Sequence, residues 1–151
     1  MPFPPFAPSV YFEEADLAAL VAEFSERVRR SPALRPAMDR LVGNQWEEAE
    51  AATTAFLRAT LFLERRPDVD GDWLAKSIRT LDATSIDQLA DILLDCALVV
   101  LPLHSAAVVA EVSDALARLL KDVLAHDGVM RQRLLFKVQS RLAAGALMSS
   151  V

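Results

Sequence analysis

With 151 residues the chain has the length of one domain around one core. Hydrophobic residues make up 53% and charged residues 25%, with only four glycines, which excludes a disordered or collagen-like chain. The net charge of −5 is unevenly placed: four of the 16 bases (Arg131, Arg133, Lys137 and Arg141) follow Gly128, leaving 12 bases against all 21 acids before it, a net of −9. A body of that sign repels phosphates and argues against a nucleic-acid partner.

Residues 1–12 open with four prolines in eight positions, which predicts an extended arm rather than a helix or a secretory signal. The single cysteine, Cys96, excludes an internal disulfide and fits a reducing, cytoplasmic setting. The longest apolar run, Cys96 to Leu103, is eight residues and too short to span a bilayer.

A first helix is expected over Glu13–Arg30, where Leu17, Leu20, Val21, Phe24 and Val28 repeat at helical spacing. Acids in its first turn and arginines in its last suit the helix dipole, and Ser31-Pro32 stops it. A short proline-interrupted segment, Leu34 to Val42, ends at Gly43. Asn44, with Glu47 three residues on, reads as the cap of the next helix, which carries Trp46, Ala49, Phe56 and Leu57 and stops near Arg65-Arg66-Pro67. Trp73 to Leu81 follows as a short helix. Ser85 is the expected cap of a long central helix from Ile86, with Leu89, Ile92, Leu93, Cys96, Val99 and Val100 inward, and Pro102 breaks it. Ser105 is the expected cap of the next helix, which closes at Asp127-Gly128, and a last helix runs from Val129 towards Met148.

The order of these elements resembles the truncated haemoglobins, most closely the group III type. The family's opening helix reads roughly V-x-x-F-Y-x-x-V-R-x-D-P-x-L, and Val21 to Leu34 follows it with Phe24, Val28, Arg29, Pro32 and Leu34 in place. The family's next helix reads W-x-x-H-x-x-x-M-x-x-F-W, and Trp46, Thr53, Phe56 and Leu57 match its spacing. Ser77 to Thr80 and the helix from Ile86 resemble the family's penultimate helix and its lead-in, so the likeness covers Leu17 to Leu124. It implies a globin-like fold around a haem pocket. The family's haem-facing tyrosine falls on Ser25, its distal histidine on Ala49, its iron-binding histidine near Trp73 and its penultimate-helix tryptophan on Leu89. A globin holds iron through a proximal histidine. The resemblance therefore implies a haem-less pocket lined by Phe24, Ser25, Ala49, Phe56, Trp73 and Leu89, with no cofactor. The alternative is haem held by an unusual ligand, His104 or Cys96, for oxygen binding or gas sensing.

Other constellations carry no chemistry. Asp68-Val69-Asp70-Gly71-Asp72 begins like a calcium loop, but its twelfth position is Arg79 rather than glutamate. Glu47, Glu48 and Glu50 lie on an early helical turn and read as a solvated face. No arrangement of nucleophile and base points to an enzyme. The last helix has Met130, Leu134, Leu135, Val138 and Leu142 on one side and its bases elsewhere, a basic amphipathic pattern. That face needs a cover, either the chain's own acidic body or the same helix of a second copy; the second copy is the expected one, giving a homodimer.

The expectation is thus an all-α, globin-like fold of about six helices with one more at the carboxy terminus. It divides into an arm (1–12), a helical domain (13–127) and a basic helix (128–151). The expected function is a binding or regulatory module for an apolar small molecule or a protein partner.

Overall fold

The computed structural model describes residues 13–61 and 71–143, and every regular element among them is an α-helix. In chain order these are α1 (Glu14–Arg30), α2 (Arg35–Leu41), α3 (Trp46–Leu61), α4 (Gly71–Thr80), α5 (Ala83–Val100), α6 (Leu103–Leu124) and α7 (Gly128–Ala143). The proline-rich arm, the turn at 68–70 and the chain beyond 143 lie outside the described residues.

The central element is α5, which packs most extensively on α6 and on α1. Its neighbours approach where side chains are small: Cys96 and Ala97 on α5, and Ser105 and Ala106 on α6, are all essentially inaccessible. Small residues let helix axes come close, and the larger side chains around them then interdigitate. From α1, Leu17, Leu20 and Val21 join this seam, with Leu57 of α3 and Val109 and Val112 of α6. A second cluster forms where α2 closes on the end of α1: Val28, Leu34, Met38, Leu41 and Ala49. Phe24 and Ile92 pack against both clusters and join them.

Several helix ends differ from the sequence reading. Asp82, not Ser85, caps α5: its carboxylate accepts the Ser85 backbone N–H at 2.8 Å, and the helix starts at Ala83. Both residue types cap well, and the one nearer the preceding helix takes the position. Helix α3 starts at Trp46, and the Gln45 carbonyl accepts the Ala49 N–H at 3.1 Å, so Gln45 rather than Asn44 holds the capping place. Ser105 does not cap α6, which begins at Leu103 immediately after Pro102; instead it is buried in the first turn. Gly43 terminates α2 with φ +60°, a conformation that side chains with a Cβ resist.

Of the positions expected inward on α5, Leu89, Ile92, Leu93, Cys96 and Val100 pack inside and Val99 does not. Val99 is 68% exposed, and Leu98 is exposed beside it. With Cys96 and Ala97 fixed on the seam, the 100° step per residue carries positions 98 and 99 to the opposite side.

Leu20→Ala should lower stability by about 2–5 kcal/mol, while Val99→Ala should stay within about 0.5 kcal/mol, as read from denaturant melts. Capping holds the Asp82 carboxyl below its ordinary range, first through the hydrogen bond from the Ser85 backbone. Such a group stabilises the fold above its unfolded-state pKa, and the contribution is lost as pH falls through the depressed folded value. Asp82→Asn keeps an acceptor but cannot titrate, so its acid-unfolding profile should lose this component. An unchanged acid profile would show that the cap does not contribute.

Candidate functional site

Five helices leave unfilled space beside the α1–α5 crossing. The first lobe has a volume of about 180 Å³ and lies among α1, α3, α4, α5 and α6. Its walls are Phe24 from α1, Phe56 and Leu57 from α3, Trp73 from α4, Ile86, Leu89 and Leu93 from α5, and Leu116 and Leu120 from α6. A second lobe of about 130 Å³ lies beside the first on the side of α2, bounded by Val28, Met38, Leu41, Trp46 and Ala49. Phe24, Thr53, Trp73, Ser77, Leu81 and Leu89 line both lobes.

The helical period explains this lining. On α3, Ala49, Thr53, Phe56 and Leu57 recur at three- and four-residue steps and so share a face. On α5, Ile86, Leu89, Ala90 and Leu93 do the same. Two of the hydroxyls in the wall are occupied locally: Thr53 Oγ1 donates to the Ala49 carbonyl at 2.8 Å, and Ser77 Oγ donates to the Trp73 carbonyl at 2.9 Å. Their protons point at their own helix, leaving the space a predominantly hydrocarbon interior.

The structure brings together all six residues assigned from sequence to the pocket. Phe24, Phe56, Trp73 and Leu89 line the first lobe, and Phe24, Ser25, Ala49, Trp73 and Leu89 line the second. Ala49 is buried, whereas Phe24, Phe56, Trp73 and Leu89 are partly buried. Ser25 is buried and donates a hydrogen bond to Glu50 Oε1 at 2.8 Å.

Glu50 is a lining residue that the pocket expected from sequence does not include. Its side chain is 41% exposed, in keeping with a solvated face shared with Glu47 and Glu48, and it also reaches the edge of the second lobe. The signal was its spacing: positions 46, 50, 53 and 57 follow one helical stripe, with the carboxylate at its edge.

Neither alternative haem ligand reaches this space. His104 and His126 are exposed, and Cys96 is buried in the α1–α5–α6 seam; none of the three lines either lobe. Burial pushes the Cys96 thiol up, away from the thiolate that ligates iron. A cavity of about 150 Å³ admits one benzene ring. Each lobe is of that order, and a porphyrin carries four linked rings. The residues present do not fit haem. Among the described residues no group of three or more His, Cys, Asp or Glu is placed to hold a metal ion, and no helix is long and apolar enough to cross a membrane.

The interface candidates on α7 separate into two sets. Leu135 is 6% exposed and buried in the main cluster, with Leu134 packed against it, as α7 leans on α6, α3 and α4. This corrects the assignment of those two residues to a partner surface: the chain covers them itself, and its acidic body suits the basic helix. Met130 remains exposed, as do Val129 and Phe136, while the side chains of Val138 and Leu142 lie outside those described. Arg131 ties the start of α7 to the end of α6, its Nε donating to the His126 carbonyl and its Nη2 to the Leu124 carbonyl at 3.1 Å.

Comparison of the chain with protein-family models, with curated proteins and with solved structures returned no match. The likeness to truncated haemoglobins rests on the residues quoted above.

Leu135→Ala should destabilise the chain by about 2–4 kcal/mol. Phe136→Ala, at a position 69% exposed, should change stability by less than about 0.5 kcal/mol. Chemical denaturation of both variants checks this. Equal effects would mean that α7 does not dock through Leu135.

Proposed function

We propose that this chain is a haem-less binding module, of truncated-globin type, that holds a small apolar molecule between α1, α3, α4, α5 and α6. The observation that carries the reading is the first lobe: about 180 Å³ walled by aromatic and aliphatic side chains, with no charged residue in its described lining. Interiors normally close such space, because each unfilled volume forfeits dispersion contacts. An apolar cavity of this size that stays open is suited to a dry, ring-sized guest. Support for the globin layout is the Val21–Leu34 block, together with the convergence of Ser25, Ala49, Trp73 and Leu89 around one space. On this reading the positions that served a cofactor in the family have become hydrocarbon wall, and recognition has passed to shape and apolar area.

Trp73 lines both lobes and reports on them. With Trp46→Phe, Trp73 becomes the only tryptophan in the chain. Titrating that variant with ethylbenzene should shift and quench its emission saturably, and the melting temperature of the parent should rise with ethylbenzene concentration, as binding to the folded state alone requires. Absence of both responses would remove the cavity reading. One equivalent of haemin should leave no ligated Soret band after gel filtration. A band that persists, and that His104→Ala or Cys96→Ala abolishes, would overturn the haem-less assignment.

A further inference from the structure

The two lobes differ in their chemistry. Glu50 is the only charged side chain in the described lining of either one, and it stands at the edge of the second. Ser25, buried in the same wall, donates to its Oε1 at 2.8 Å. Arg29 reaches that oxygen at 3.5 Å while lining neither lobe, and its guanidinium lies over the Trp46 ring at 4.6 Å from the centroid. Both described contacts therefore fall on Oε1, and Oε2 keeps its capacity to accept.

We propose that the Ser25–Glu50 edge is a head-group subsite, and that the guest is an amphiphile with a ring-sized apolar body and a head that donates hydrogen bonds, a primary amine or an alcohol. This rests on the cavity reading above. A carboxylate only accepts, so it selects donors, and charge-assisted hydrogen bonds are about twice as strong as neutral ones. An acidic head brought to the same edge meets a like charge, a repulsion that the 41% exposure of the Glu50 side chain and the Arg29 guanidinium 3.5 Å away reduce but do not reverse into the attraction a donor head receives. The single acidic group thus acts both by attraction and by exclusion. Phe24, Trp73 and Leu89 are shared by the two lobes, so a body lodged among them is next to the lobe that carries the head-group edge.

The test is calorimetric titration of the full chain with four probes that share a phenyl body: ethylbenzene, 2-phenylethanol, 2-phenylethylamine and phenylacetate. The amine and the alcohol should bind at least about tenfold tighter than phenylacetate. Glu50→Gln keeps the shape and an acceptor for Ser25 but removes the charge. In that variant the difference should fall to within about threefold, with ethylbenzene affinity unchanged. Phenylacetate binding as well as the amine and alcohol, or a preference that survives Glu50→Gln, overturns the subsite. Ethylbenzene binding without any head-group preference does the same and leaves the cavity reading standing. Failure of all four probes to bind removes both.

Discussion

The close approach of α5 to α1 and α6 is the constraint on which the rest of the structure depends. It is made possible by Cys96 and Ala97 on one side and Ser105 and Ala106 on the other, all small and all excluded from water. A larger side chain at any of these positions would push helices apart and disturb packing along their whole length, because interiors this dense do not absorb added volume locally. With the seam fixed, the rotation of α5 about its axis is fixed too. That rotation directs Leu89 and Leu93 towards α3 and α4, and turns Leu98 and Val99 to water.

The space between the helices follows from the same geometry. The α1–α5–α6 seam and the α1–α2–α3 cluster are separate centres of packing, joined through Phe24 and Ile92. Where two such centres meet, helices diverge, and the side chains between them must span a wider gap. Phe24, Phe56, Trp73 and Leu89 narrow that gap without closing it. In this chain both histidines lie on the surface and the cysteine is committed to the seam, so none of the three lines the space.

Much of this was legible in the sequence because helical periodicity is a local signal. The stripe Leu17, Leu20, Val21 and Val28 is buried as its spacing requires, and Gly43 stops α2 where a residue free to take positive φ was needed. Caps were less legible. Asp82 and Ser85 present equivalent oxygens three residues apart, and choosing between them depends on where the preceding helix ends. The last turn of α5 was hard to read because Asp87, Asp91 and Asp95 mark the wet face only up to position 95; beyond it every residue is apolar, and only the neighbours decide that Ala97 is hidden and Val99 is wet. Glu50 was hard for the opposite reason. Charge suggests solvent, yet one turn from Trp46 and from Thr53 it sits on the boundary between the wet and dry sides of α3. Leu135 shows a third limit: an amphipathic face announces that it is covered, but not by what.

The hydroxyl bonds in the pocket wall have a mechanical consequence. Thr53 and Thr54 on α3, and Ser77 and Thr80 on α4, each donate to the carbonyl four residues earlier. A carbonyl that shares its lone pairs in this way holds the helix ladder less tightly, and helices carrying such bonds tend to bow. Helices α3 and α4, which supply Phe56 and Trp73 to the cavity wall, are thus the ones given to bowing, while α5 and α6 are held together at their small-residue seam. On the proposed reading, a guest would rest against one wall held by that seam and one given to bowing, and molecules of unequal girth would find room without disturbing the packing that holds the fold together.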